Sequence, residues 1–199
     1  MVNTILKEAD LFCPNSVRIN FTIYQLLNAG YSEDDIRAKA EEDNYFKQKT
    51  AARTQDLLKV LKKRLVTLDQ DYFVLFPSLD ISNQKLVNLI SIMNMNRLFN
   101  EFMYEVYRGE LLLGDARLHD YEIEDFFNRK RVENAQIADW TEETVERLAG
   151  IFKTFCREAE LLKDRGDYDE VNRPMLDLRL EDLLQAKHAH RNLAVLLGR

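Results

Sequence analysis

The chain has 199 residues, of which 46% are hydrophobic and 31% charged, and its formal net charge is −6. This is the composition of a soluble globular protein, and the 6 Gly and 3 Pro are few for a fold made of turns and hairpins. The sequence therefore predicts an all-α, cytoplasmic protein with no membrane span and no secretion signal.

The first half of the chain carries clear helix start signals. Ser32 is placed to cap the segment SEDDIRAKAEED, whose acids lie in the first turn, where the helix dipole favours them. Thr50 is placed to cap the next helix. One face of that helix forms an apolar stripe at helical spacing: Leu58, Leu61, Leu65 and Leu68.

Residues 84–107 are apolar over more than half of the helical circumference. A helix tolerates this only when it is packed on several sides, so we expect one continuous central core helix there. The predicted organisation is one compact body with three parts. These are a helix-turn-helix-like unit at 1–80, central core helices at 81–118 and a winged-helix-like unit at 119–199.

The second half of the chain resembles the first at a displacement of about 90 residues. DYEIEDFFNRKR, a polar loop and the Thr-capped WTEETVERLAGIFKTFCREAELLKD repeat the pattern of a short helix followed by a longer one. This order is typical of a helix-turn-helix, in which the second helix can enter the major groove of DNA. A small β-hairpin wing is predicted near residues 165–176, and Gly198 is expected to end the last helix.

Positive charge is concentrated in one stretch of this acidic chain. Residues 47–64 contain seven bases and one acid, so they carry +6 while the remainder carries −12. With the leucine stripe buried, helical geometry places part of this charge outward. We therefore predict a nucleic-acid surface in which Ala52 lets the backbone approach, Arg53 and Gln55 reach bases, and the remaining cations contact phosphates: Lys49, Lys59, Lys62, Lys63 and Arg64.

Two other interpretations of this charge remain open at this point. Basic residues late in a helix stabilise its C-terminal dipole, and a charged outward face is ordinary solvation. The second long helix does not repeat the pattern, because Glu142, Glu143 and Glu146 lie where bases would be needed. Candidate phosphate contacts of the second unit lie elsewhere: Arg129, Lys130, Arg131, Arg165 and Arg173.

Three segments resemble the BrxA family, small accessory proteins of bacteriophage exclusion (BREX) defence systems. They are EEDNYFKQKTAARTQDLLKVLKKRLVTLD, DYEIEDFFNRKR and WTEETVERLAGIFKTFCREAELLKD, and the resemblance runs from about Phe12 to the C-terminus. It implies a cytoplasmic all-α protein without chemistry of its own, encoded beside a DNA methyltransferase and ATPases. It also implies likeness to winged helix-turn-helix DNA binders and to a helical RNA-binding antitermination factor, with residues 49–64 as the nucleic-acid surface.

No enzyme motif was found: the sequence has no Gly-rich phosphate loop, no G-x-S-x-G and no H-E-x-x-H. His188 and His190 are two residues apart and point in different directions on a helix, so no metal site and no cofactor are expected. Cys13 and Cys156 are interpreted as buried thiols. The expected function is nucleic-acid binding, with duplex DNA preferred over RNA. The alternatives are an adaptor that binds other BREX proteins and an RNA-binding antitermination-like factor.

Overall fold

The computed structural model of the chain describes residues 23, 25, 26, 29–42 and 50–199. The backbone divides into two compact units, Met1–Asp80 and Ile81–Arg199. The described residues are mostly helical, with one small antiparallel sheet. The all-α expectation, with a small β wing, is confirmed.

The first unit contains α1 (Glu33–Glu42), α2 (Ala51–Val66) and α3 (Gln70–Leu75), followed by a 3-10 turn at Phe76–Ser78. α1 packs on α2. Ser32 and Asp35 form a reciprocal cap at the start of α1: the Ser32 hydroxyl accepts from the Asp35 N–H at 3.2 Å, and the Asp35 carboxylate accepts from the Ser32 N–H at 2.9 Å. Thr50 caps α2 by accepting from the Arg53 N–H at 3.3 Å. Both predicted caps are confirmed.

The second unit begins with α4 (Ile81–Met95), α5 (Arg97–Phe102), a π-helix (Met103–Tyr107) and α6 (Arg108–Leu112). The apolar side chains of this region are buried as predicted, but the prediction of a single continuous helix is wrong. Asn96 leaves the helical conformation, with φ −116° and ψ 101°, and its side chain caps α5 by accepting from the Phe99 N–H at 3.0 Å. Asparagine favours this capping role over a helix interior, so the apolar segment breaks there.

The sheet is formed by β1 (Arg117–Leu118), β2 (Leu162–Asp164) and β3 (Asp169–Val171), in the order β1-β3-β2. Leu118 pairs with Asp169, and Leu162 pairs with Val171, both antiparallel. The hairpin therefore lies earlier than the predicted 165–176, because the residues after Val171 leave the sheet and lead to the next helix. The third strand, β1, was not predicted.

Between β1 and β2 lie α7 (Asp120–Glu133), α8 (Ala135–Ala138) and α9 (Glu142–Glu158), and after the sheet come α10 (Leu178–Ala186) and α11 (His190–Leu197). α9 begins about 90 residues after α2, at the displacement that the sequence indicated. α11 ends at Gly198, which adopts the left-handed conformation with φ 59°, as predicted.

Phenylalanine rings form the centre of the second unit. Phe152 lies 5.1 Å from Phe99, 5.3 Å from Phe102 and 5.8 Å from Phe127, measured between ring centroids. Tilted and stacked rings at this spacing stabilise a core beyond their buried area. This core fixes α5, α7 and α9 against one another. In the part of the chain that the structure describes, no helix is both long and apolar enough to cross a membrane.

Candidate nucleic-acid interface

The basic helix α2 buries one face and exposes another. The predicted stripe residues Leu58, Leu61, Leu65 and Leu68 are all buried, together with Leu57 and Val60. Ala52, Lys59 and Lys63 are exposed on the opposite side, and Arg53 is exposed at its edge, while Gln55 and Lys62 are half-buried. Lys49 lies outside the described residues.

The ion pair of Lys59 on this face is open to solvent. The Lys59 ammonium lies 3.7 Å from the Asp56 carboxylate, and their side chains are 72% and 60% exposed. An exposed pair of this kind contributes at most about 1 kcal/mol and is screened by salt. A phosphate can therefore compete with Asp56 for Lys59. Arg53 has no carboxylate within ion-pair distance among the described residues.

A shallow groove of about 150 Å³ runs beside this face within the first unit. Ile23, Ile36 and Leu58 contribute apolar surface to it, and Arg37, Lys59 and Lys62 contribute cationic side chains. Arg37 is paired with Asp34 at 3.1 Å. The groove therefore adds apolar contact area next to the lysines of α2.

Arg64 does not belong to the exposed face, and its predicted role as a surface contact is corrected. Its side chain is 1% exposed and is among the largest fully buried side chains described. Arg64 is three residues after Leu61 and four after Val60, and both of these are buried. At 100° per residue this spacing puts Arg64 on the buried face, where a phosphate cannot reach it.

Lys130 is likewise buried, so its prediction as a nucleic-acid contact is corrected. The side chain is 7% exposed, and its ammonium lies 2.8 Å from Glu105, 3.0 Å from Glu133 and 3.1 Å from Glu101. Burial alone would lower the pKa of Lys130, but hydrogen bonds to the three glutamates raise it. Lys130 is therefore a structural cation that holds three carboxylates together.

Three of the other predicted cations of the second unit are paired with carboxylates. Arg129 pairs with Asp125, and Arg165 binds Glu170 through its Nε at 2.7 Å. Arg131 donates to the Glu142 carboxylate and to the Trp140 carbonyl, each at 2.8 Å, and so joins the end of α7 to the start of α9. Their charge is largely compensated within the unit.

Arg173 differs from these three arginines. It is exposed, and one of its amino groups lies 3.5 Å from the Leu111 carbonyl. Among the described residues no carboxylate lies within ion-pair distance of it. Arg173 thus remains available to an external anion.

The face of α9 that would meet DNA in a helix-turn-helix is acidic, as its sequence indicated. Glu142, Glu143 and Glu146 are exposed. A groove of about 470 Å³ lined by α7 and α9 also carries Asp120 and Glu124, over a floor that includes Phe127 and Ala149. The two bases in it are tied down: Lys153 to Asp120 and Asp169, and Arg157 to Asp169 and Asp164. This groove repels phosphate and suits a cationic ligand.

Sequence reasoning missed one cluster of cations. Arg108 and Arg191 both lie over the ring of Tyr104, with guanidinium carbons 4.6 Å and 4.3 Å from its centroid. The four-residue spacing of Tyr104 and Arg108 on a helix was a visible signal for one half of this arrangement. Arg191 is distant in sequence, so only the fold brings it to the same ring.

Two further predictions concern groups with chemical reactivity. Cys156 is fully buried, with its sulfur 3.3 Å from that of Met103, and burial raises the pKa of its thiol. Cys13 lies outside the described residues. Within the described ranges, no group of three or more His, Cys, Asp or Glu side chains is placed to hold a metal ion.

Comparisons with known proteins place the chain in a family. The BrxA family model matches residues 16–188. A "BREX protein BrxA" from Bacillus cereus (strain H3081.97) is 32% identical over 162 residues, covering 81% of this chain and 80% of that protein. The crystal structure of an uncharacterized protein from Magnetospirillum magneticum shares the fold, with a TM-score of 0.78 and 15% identity over 98% of this chain and 97% of that one. The family match over most of the sequence shows that this chain belongs to the BrxA family.

Proposed function

We propose that this chain is a non-enzymatic, nucleic-acid-binding accessory protein of a BREX-type phage-defence system, acting in the cytoplasm with duplex DNA as its ligand. The observation that carries the proposal is the exposed face of α2, which presents Lys59 and Lys63 on the side opposite its buried leucines, with the exposed Arg53 at its edge. The relative from Bacillus cereus is named a BREX protein. That name supports a place in such a system.

The physical argument for a polyanionic ligand rests on charge density. Stability alone favours cations interspersed with acids along a helix, since like charges three or four residues apart repel each other. α2 instead brings Lys59, Lys62 and Lys63 into one turn, with Asp56 as its only acid. A polyanion that binds there relieves this repulsion and releases its own counterions.

The topology of the second unit also supports the proposal. The second unit has the element order of a winged helix-turn-helix. A helix is followed by β1, then by α7 and α9, and then by a hairpin that pairs with β1. Its acidic α9 argues against insertion of that helix into the major groove. We therefore assign the phosphate contacts to α2.

An adaptor role is the second candidate, and the acidic groove between α7 and α9 favours it. Its exposed carboxylates, among them Glu124 and Glu146, suit a basic segment of another protein. In this role α2 would dock an acidic surface of a partner. Purified protein would then ignore DNA but be retained by another BREX protein.

The test is a charge reversal on α2. The triple variant K59E/K62E/K63E should lose binding to a plain DNA duplex in a mobility-shift titration while keeping the helical circular dichroism of the wild type. A control with three reversals at exposed sites of the second unit, R97E/K163E/R179E, changes net charge equally and should still bind. Equal affinity of wild type and α2 variant would refute the site. Single strands and structured RNA in the same titration distinguish the RNA-binding alternative.

A further inference from the structure

The arginine cluster around Tyr104 is the strongest unassigned feature of the second unit. Tyr104 and Arg108 are half-buried and Arg191 is exposed, and both guanidinium groups lie over the same ring. Because they share one ring, the two cations lie within about one Debye length of each other, roughly 10 Å at 0.1 M salt, and repel. The ring offsets part of this repulsion through cation–π attraction.

No Asp or Glu side chain among the described residues forms an ion pair with either arginine of this cluster. Arg108 uses its Nε to donate to the main-chain oxygen of Arg199 at 2.9 Å, and Arg191 contacts the Tyr104 ring. The other polar groups of these two arginines face no Asp or Glu carboxylate at ion-pair distance within the described ranges. Other arginines of this unit, including Arg97, Arg129, Arg157 and Arg179, do have such partners.

Arg173 extends the cluster into a row. Its guanidinium lies against Gly198, next to Arg199, whose main-chain oxygen accepts from Arg108. Contacts thus run from Arg191 through Tyr104 and Arg108 to the chain segment that Arg173 touches. A row of separate cations matches a ligand with repeated phosphates better than one with a single phosphate.

The backbone beneath the cluster is specialised. Tyr104 lies in the π-helix Met103–Tyr107, and Arg108 follows it directly as the first residue of α6. Single π-turns within helices are rare and occur often at functional sites. The turn is held in place by Tyr107, a fully buried residue whose hydroxyl donates to the Asn172 carbonyl at 2.6 Å. The helical segment that carries Tyr104 and Arg108 is therefore held in place before any ligand binds.

We propose that Tyr104, Arg108 and Arg191, with Arg173 beside them, form a second phosphate-binding surface that contacts the sugar-phosphate backbone of nucleic acid. The inference rests on the proposed function for its ligand class and adds a site on the other unit of the chain. The Tyr104 ring holds each guanidinium through cation–π contact, and a guanidinium can bind a phosphate with two hydrogen bonds through its N–H groups.

The test uses the full chain and the double variant R108A/R191A, titrated with a labelled DNA duplex over a range of salt concentrations. We expect at least about a tenfold loss of affinity at low salt and a slope of log affinity against log salt that is less steep by about 1.8, for two lost phosphate contacts. The control R97A/R179A also removes two exposed arginines, but ones already paired with carboxylates, and should leave the slope unchanged. If R108A/R191A behaves like this control, the surface does not exist.

Two additional variants separate geometry and folding from charge. R108K/R191K keeps both charges but loses the planar fork, so its affinity should fall between those of wild type and R108A/R191A; wild-type affinity would contradict a role for the planar fork. If R108A/R191A fails to fold, R191A alone decides the matter, because Arg191 is exposed. It should reduce the slope by about 0.9.

Failure of the arginine surface can be distinguished from failure of the proposed function. If the wild type binds no nucleic acid, the proposed function fails, and inorganic tripolyphosphate measured by calorimetry becomes the deciding probe. Binding of tripolyphosphate that R108A/R191A abolishes and K59E/K62E/K63E retains supports the arginine surface alone. Absence of any tripolyphosphate binding by the wild type overturns it.

Discussion

At the scale of single residues, burial decides which charges can act on a ligand. Lys63 and Arg64 are neighbours in the sequence, yet Lys63 is exposed and Arg64 is 1% exposed. Helical geometry predicted an outward position for Lys63, whereas Arg64 was included in the interface because of its charge. Helical position relative to Val60 and Leu61 separates them, because the direction of a side chain from its helix follows from the 100° rotation per residue.

Glu110 is a residue whose charge should depend on pH near neutrality. Burial raises the pKa of its carboxyl to about 7, helped by a hydrogen bond with Glu122 and by repulsion from Glu122 and Asp115. The folded state therefore holds a proton that the unfolded state releases above its ordinary pKa of 4.5. It follows that stability falls as pH rises from about 4.5 to about 7.

The variant Glu110→Gln removes this titration and should abolish the loss of folding stability that Glu110 causes as pH rises. We expect it to match the wild type near pH 5 and to be more stable than the wild type near pH 8, since the amide stays neutral. Urea unfolding at the two pH values measures the difference. A stability difference that is the same at both pH values would show that Glu110 ionises normally in the folded protein.

At the scale of elements, carboxylates from three segments meet at one cation. Glu101 belongs to α5, Glu105 to the π-helix and Glu133 to α7, and Lys130 of α7 binds all three. Only the pair Lys130 and Glu133, three residues apart, is visible in the sequence. The cluster therefore fixes α7 against the segment that carries Tyr104.

The variant Lys130→Met should lose about 3 kcal/mol of stability, because it removes the cation from Glu105 and Glu133 and leaves Glu101 paired with Arg97. Lys163→Met is the matched control, since Lys163 is exposed on β2 and should change stability by less than about 0.5 kcal/mol. Guanidinium unfolding of both variants provides the measurement. Equal stabilities would mean that the cluster contributes nothing to the fold.

Local signals predicted helices well and long-range pairings poorly. Ser32 and Thr50 act as the caps that their sequence contexts indicated, and the leucine stripe of α2 is buried. Asn96 gave the same kind of local signal for a helix start, but the long apolar run around it favoured one unbroken helix. β1 has only two residues, too few for a periodic pattern, and its pairing with β3 spans about 50 residues.

The candidate interface was predictable in part for the same physical reason. Exposure of Lys59 and Lys63 follows from helical geometry within one segment. Lys130 pairs with Glu101 and Glu105, which lie on other elements. Arg191 likewise reaches Tyr104 only in the folded chain. Such tertiary contacts leave no trace in local spacing.

At the scale of the whole molecule, the charge distribution determines how binding must respond to salt. The stretch from Lys47 to Arg64 carries +6, whereas the rest of the chain carries −12. A duplex is therefore attracted at short range by α2 and repelled by the acidic remainder. Attraction that depends on phosphate contacts weakens as salt rises, because releasing the same counterions into more concentrated salt gains less entropy.

The most direct test of nucleic-acid binding through α2 is the affinity of the wild type for a plain DNA duplex as a function of salt. We predict binding without any partner protein and a linear fall of log affinity with log salt. Contacts from Lys59, Lys62 and Lys63 should contribute about −2.7 to the slope, and this part should disappear in K59E/K62E/K63E. A wild-type affinity that does not change with salt, or no binding at low salt, would contradict this function.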